Sequence, residues 1–262
     1  MSVKIYVASH IEPEYALPKN YEFILTGGFG IKKCDVEGYI THNSIEGNIS
    51  KKNKNYSELT AVYTIKQLIE VGAVKEDFVG FVHYRRFFLS SLKYLFYIKL
   101  KATIKRRLEF KDISNYIFSD KTIPVFFSEK NIFVAKKTKF NMTLYEQFAM
   151  LHDVSDLDKA ISQVLDLYPD YSRCILEFKN SKHIYCCNMM IAKTDVFKSY
   201  CDWLFPVLFQ LELKIELENR NGYQERVFGY ISERLFNLWL LYNKENYEII
   251  EMPVARILNA KN

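Results

Sequence analysis

Glycine and proline are scarce in this chain, nine and six among 262 residues, and no low-complexity or repeated segment accompanies them. A sequence of that kind leaves no ground for disorder except at the ends. Long apolar runs are also missing. No stretch approaches the ~20 residues of a membrane-spanning helix, and the run within Met1 to His10 is too short for a secretory signal, so a cytoplasmic protein is expected. Cysteines are few and odd in number (Cys34, Cys174, Cys186, Cys187 and Cys201), without C-x-x-C spacing, and the adjacent pair cannot readily bridge. They read as reduced packing residues. No two histidines stand at a spacing that suggests a metal pair, and zinc is not expected.

Aromatic residues, by contrast, make up 16% of the chain, with 20 Phe and 19 Tyr against 2 Trp, and 49% hydrophobic content is ample for a core. The net charge of +5 is unevenly placed. Lys93, Lys99, Lys101, Lys105, Arg106, Arg107 and Lys111 face the single acid Glu109, a surplus that exceeds the charge of the whole chain. Such local basicity suits a patch that meets an anionic surface better than a general nucleic-acid binder. Leu92, Phe96, Leu100, Ile104 and Leu108 recur every fourth residue beside it. The segment reads either as an amphipathic helix docking on an anionic membrane or as a solvated connecting helix.

Residues 3–8 predict a first strand ending at Ser9-His10. Asn55 three residues before Glu58 predicts a capping box for a helix from Leu59 to about Gly72. A second strand is predicted at 78–82 and others at 132–135, 185–192 and 247–252. Helices are predicted at 143–152, 156–167, 195–217 (kinked at Pro206) and 223–242. Strands alternating with helices imply an α/β fold with a mainly parallel central sheet flanked by helices. No linker is evident. One domain over 1–262 is expected, with 90–130 as a basic excursion.

The most informative stretch is Val79 to Phe88, where an apolar run ends abruptly in His83-Tyr84-Arg85-Arg86. It reads as a buried strand feeding a cationic site, since ligands of open α/β sheets sit at the carboxyl ends of strands and paired guanidinium groups suit phosphate oxygens. The plainer reading is a solvated Arg-Arg turn. Likewise His83 either donates to a phosphate or satisfies a backbone carbonyl, and Glu58 either binds a ligand hydroxyl or caps its helix. Asn48, Ser50 and Asn53 lie in a loop whose amide and hydroxyl groups suit a sugar or base but also make ordinary turns. Asp156-Leu157-Asp158 spells the D-x-D by which many nucleotide-sugar transferases hold a divalent metal. Its place in a first helical turn, rather than at a central strand end, argues against that role. On the last helix Arg226, Tyr230 and Glu233 share one face, either solvated or carrying a catalytic carboxylate beside a cation.

Several fragments, in order and over nearly the whole chain, resemble one known family: Tyr6-Val7-Ala8-Ser9-His10, Asn48-Ile49-Ser50 with Asn53, Tyr56-Ser57-Glu58-Leu59-Thr60, Gly80 to Phe88, Asp156-Leu157-Asp158, Asn188-Met189-Met190-Ile191, and Arg226-Val227-Phe228-Gly229 leading to Ser232-Glu233-Arg234-Leu235. The family is that of bacterial polysaccharide-biosynthesis β-galactofuranosyltransferases, formerly a domain of unknown function. The resemblance implies a GT-A-like glycosyltransferase. It would move galactofuranose from UDP-galactofuranose, with inversion, to a growing capsule, O-antigen or exopolysaccharide chain on a lipid carrier, peripherally on the inner face of the cell membrane. Carried over to this sequence, Ser9, His10, Asn48, Ser50, Asn53, Tyr56, Glu58, His83, Tyr84, Arg85 and Arg86 would bind the donor. Asn188, Asp156 and Asp158 would face sugar or acceptor. Glu233 with Arg226 would carry catalysis, Glu233 as the base with Asp156, Asp158 and Glu225 as rivals. No cofactor is implied as required, and Mn or Mg dependence stays open. The alternatives are a transferase for another UDP-sugar and a non-catalytic glycan- or nucleotide-binding module.

Overall fold

The computed structural model describes residues 1–12, 14–28, 39–91, 94, 96, 108–119 and 128–257. Strand β1 (Val3–Ser9) turns Val3, Ile5 and Val7 to one face and Tyr6 and Ala8 to the other, and both faces are buried. Burial on both sides is the mark of a central parallel strand. Around it lie β2 (Tyr21–Leu25), β3 (Ile40–Thr41), β4 (Phe78–His83), β5 (Arg86–Phe88) and β6 (Asn131–Ala135). After the small β7 (Thr138–Lys139) and β8 (His183–Ile184) hairpin come β9 (Met190–Lys193), β10 (Glu248–Met252) and β11 (Val254–Arg256). The main path runs β10-β6-β9-β4-β1-β2-β3, with β9 alone opposed to the rest. This is the mainly parallel α/β sheet that the alternating pattern predicts.

The helices are α1 (Leu59–Glu70), α2 (Leu144–Leu151), α3 (Val154–Leu167), α4 (Ser172–Asn180), α5 (Thr194–Glu212, with Pro206 inside) and α6 (Val227–Tyr242). They pack on the sheet face that carries Tyr6, Val79, Phe81, Ile132, Val134 and Met190. The opposite face, with Ile5, Val7, Val82, Phe133 and Ile191, is covered by aromatic side chains from β5 and from the turn Phe110–Ile113. Among the described residues the buried phenylalanines are shared evenly between the two faces, seven on each. Midway along β4, Gly80 is the position where a side chain has no room: a Cβ would come within 2.8 Å of Ile191 Cγ1 and 3.0 Å of Ile5 Cγ1.

Two expectations change. The run 185–192 is not one strand, because Cys187 (φ 72°) and Asn188 (φ 52°) turn left-handed and only Met190–Lys193 pairs. The capping box at Asn55 does not form. Ser57 (φ 51°) breaks the chain direction after the short helix Asn53–Tyr56, and the Asn55 amide donates to the Glu225 carbonyl at 2.8 Å instead. Strands β2, β3, β5, β7, β8 and β11 and helix α4 were not predicted. The charge cluster Lys93 to Arg107 lies outside the described residues; at its end Leu108 is buried and Lys111 pairs with Glu109 at 2.6 Å. No described helix is long and apolar enough to cross a membrane.

Candidate active site

The carboxyl ends of β1, β2 and β4 open into a cleft of about 710 Å³. Its floor begins where β4 reverses: His83 pairs with Arg86 across a two-residue turn, Tyr84-Arg85, and β5 returns antiparallel. Residues directly opposite in an antiparallel pair share a face. In the next ladder Arg86 stands opposite Arg256 of β11. His83, Arg86 and Arg256 therefore form one cross-strand row, and all three line the cleft. Two arginines placed directly opposite repel. Among the described residues neither has a carboxylate within ion-pair distance to relieve that repulsion.

His10 and Tyr84 add an edge-to-face aromatic pair, 5.1 Å between centroids, and the Arg85 guanidinium lies 4.8 Å from the Tyr84 ring. Burial, then the charge of Arg85, pushes His10 below the ordinary histidine range. Gly27, at φ 67°, lets the end of β2 pass close to the Asn53 side chain, where a Cβ would meet Oδ1 at 3.3 Å. Asn53 in turn donates to the Ser57 carbonyl and to Thr60 Oγ1, which fixes the far wall.

On the helix side the cleft continues into a recess of about 280 Å³ that shares Glu58, His83, Arg86 and Arg226 with it. Glu233 of α6 lies in the wall of this recess. Its Oε1 accepts from the Cys187 N–H at 3.1 Å, while the Cys187 carbonyl accepts from His83 Nε2 at 2.7 Å. The two backbone polar groups of one residue, Cys187, thus tie the carboxylate to the imidazole, and the left-handed turn at Cys187-Asn188 sets their directions. A carbonyl only accepts, so His83 Nε2 carries its proton. Burial lowers the His83 pKa, so the ring is neutral with Nδ1 as an acceptor. Burial, and next the nearby Glu58 charge, raises the Glu233 pKa. A carboxylate held in that state is a stronger base than one in water. Arg226 donates to Ser57 Oγ at 2.8 Å and to Glu58 Oε2 at 3.2 Å.

The structure thus gathers His10, Asn53, Glu58, His83, Tyr84, Arg85, Arg86, Arg226 and Glu233 around one cavity system. The other sequence candidates lie elsewhere. Tyr56 is fully buried and donates to Glu212 Oε2 and the Leu208 carbonyl. Ser9 is buried with its Oγ on the Ile11 carbonyl, and the Asn48 side chain binds Ser50 N and Oγ within its own loop. Asn188 anchors its turn by donating to Ser232 Oγ at 2.8 Å. Asp156 is buried against Arg220 at 2.7 Å, and Asp158 accepts from Lys179 and Tyr145 on the outer side of α3. None of these lines the cleft or recess. Both aspartates are engaged in ion pairs, with Arg220 and Lys179, away from the cleft and recess. Glu225 does line the cleft, paired with Lys54 at 3.3 Å. Arg256 was missed, because the pairing that brings it to Arg86 spans the whole sequence.

Among the described residues, the donor set of the cleft does not suit a divalent cation. Glu58 and Glu225 are each engaged by a cation, and no group of three or more metal-ligating side chains occurs among the described residues. Lys54, Arg85, Arg86, Arg226 and Arg256 outnumber the two carboxylates in the cleft, which favours an anionic ligand.

Residues 4–244 match the family profile described as "Domain of unknown function (DUF4422)". The chain belongs to the DUF4422 family. A solved structure, the apo form of WbbM, a bifunctional glycosyltransferase, superposes on this DUF4422 chain with a TM-score of 0.81 at 26% identity. The match covers 99% of this chain and 46% of that one, so the DUF4422 chain spans about half the length of its structural relative. The fold is therefore the GT-A-like α/β arrangement of a glycosyltransferase chain. No match is found among curated proteins.

Proposed function

We propose that this chain is an inverting glycosyltransferase that moves galactofuranose from UDP-galactofuranose to a growing bacterial surface glycan on a lipid carrier, working at the inner face of the membrane. The observation that carries the reading is the row His83, Arg86, Arg256 at the strand ends, two arginines directly opposite in register with no carboxylate within ion-pair distance among the described residues. A diphosphate placed there turns their mutual repulsion into attraction, and they stabilise the charge that develops on the departing nucleotide where a metal ion otherwise would. Glu233 is the base. The acceptor oxygen forms its bond to the anomeric carbon as that carbon's bond to the diphosphate oxygen breaks. The bonding electrons leave with UDP, and the acceptor proton passes to the Glu233 carboxylate. His83, held neutral, keeps the Cys187 peptide and hence Glu233 in register. The GT-A-like relative supports glycosyl transfer, and the furanose donor rests on the sequence resemblance.

The test is to incubate purified protein and lipid-linked acceptors with UDP-galactofuranose, UDP-galactopyranose or UDP-glucose, with and without EDTA. UDP release confined to the furanose donor and unaffected by chelator is the expected result. Equal turnover of a pyranose donor overturns the donor assignment, and loss of turnover with EDTA overturns the arginine mechanism.

A further inference from the structure

The recess beside Glu233 has a wall that the donor chemistry does not use. His152 at the end of α2 stacks on Tyr230 (4.2 Å between centroids) and on Tyr223 (5.7 Å), and Tyr223 is 58% exposed. Facing them are two polar groups. Arg234 is 4% exposed; it donates through Nη2 to Gln147 Oε1 and approaches Glu233 Oε2 at 3.9 Å, while its Nε has no hydrogen-bond partner among the described residues. Gln147 uses its oxygen there, and its amide nitrogen makes no hydrogen bond among the described residues.

We infer that this recess seats the terminal sugar of the acceptor, one apolar ring face on the Tyr223 stack and its hydroxyl groups on Gln147 and Arg234, with the reacting hydroxyl at Glu233. The chemistry excludes other ligand classes. Away from the donor cleft the wall charges are of both signs and paired, Arg234 with Glu233 and Arg226 with Glu58, and the remaining lining cation, Arg86, stands at the junction with that cleft, so the recess itself favours neither an anion nor a cation. The polar lining is too extensive for a lipid tail, whereas an aromatic platform ringed by bidentate polar groups matches the alternating C–H and O–H surfaces of a neutral sugar. A volume of about 280 Å³ accommodates a single ring, which leaves the remaining glycan outside. The shared residues Glu58, His83, Arg86 and Arg226 then mark the junction at which acceptor and donor meet.

The inference rests on the donor reading of the adjoining cleft, and the experiment separates the two. Binding of UDP is measured by calorimetry, and binding of methyl β-galactopyranoside, methyl β-galactofuranoside and methyl β-glucopyranoside by saturation-transfer NMR with UDP present, for the wild type, Tyr223→Ala, Tyr223→Phe and Gln147→Ala. The expected result is glycoside signal in the wild type and Tyr223→Phe, affinity lower by about tenfold in Tyr223→Ala and Gln147→Ala, and the same UDP affinity in all four. Glycoside binding that survives both alanine substitutions, or no glycoside signal on the UDP-bound wild type, overturns the inference. Absence of UDP binding by the wild type instead removes the donor reading, and Tyr223-dependent glycoside binding would still support the recess.

Discussion

Glu233 sits at the point where stability and chemistry oppose one another. Its raised pKa means that the ionised side chain is less favourable in the folded protein than in the unfolded chain, so ionisation costs stability as pH rises. The neutral amide of Glu233→Gln keeps an acceptor for the Cys187 N–H and removes that cost. The variant is expected to lose about 10²- to 10⁴-fold in transfer rate while its melting temperature at neutral pH holds or rises. Near-normal turnover would rule out the base. The same shift fixes the pH profile: the base works only when deprotonated, so activity falls on the acid side through a pKa above the ordinary glutamate value, and a limb at or below that value contradicts the assignment. For the arginine row, Arg86→Ala or Arg256→Ala each removes a charge-assisted contact worth about 1.5–3 kcal/mol. UDP affinity measured by calorimetry should drop accordingly. Unchanged affinity in Arg256→Ala would detach β11 from the donor site.

At the scale of elements, the strand and helix periods of β1, α1, β4 and α6 were readable because each is long and buried in a regular pattern. The histidine and arginines at the end of β4 were readable too, because an apolar run stopped at them. Arg256, Gln147, His152 and Tyr223 were not, since their place depends on long-range pairing and on helix packing that no local pattern encodes. The continuous apolar run at 185–192 misled for a related reason: Asn tolerates the left-handed region, and the tertiary hydrogen bonds that Cys187 accepts from His83 and donates to Glu233 outweighed strand propensity. Gly80→Ala tests the packing of the sheet. With Ile5 and Ile191 so close, the added methyl group should cost about 1–3 kcal/mol in chemical denaturation, and an unchanged midpoint would show that the sheet yields. Asp156→Ala tests the D-x-D reading. It strands Arg220, whose side chain is 15% exposed, and should destabilise toward the low end of about 3–5 kcal/mol, without metal dependence in the folded fraction.

For the molecule as a whole, the cleft's surplus of cations over carboxylates should make UDP affinity fall as salt is raised. Affinity indifferent to salt between low and physiological ionic strength would argue against an electrostatic donor site. The membrane reading belongs to the segment outside the described residues. Removing charge at Lys101, Lys105, Arg106 and Arg107 is expected to abolish sedimentation with anionic vesicles while leaving UDP binding unchanged, and unaltered sedimentation ends that reading.

The match to the family profile ends at residue 244, whereas the structural likeness runs on over 99% of the chain, and Arg256 with the strand that carries it comes after 244. A boundary drawn at the end of that profile would trim away β10, lay bare the edge of β6 and invite aggregation. It would also remove one arginine of the Arg86–Arg256 pair that lines the cleft. For protein engineers who graft or shorten such chains, the last dozen described residues belong with the sheet that carries the candidate site.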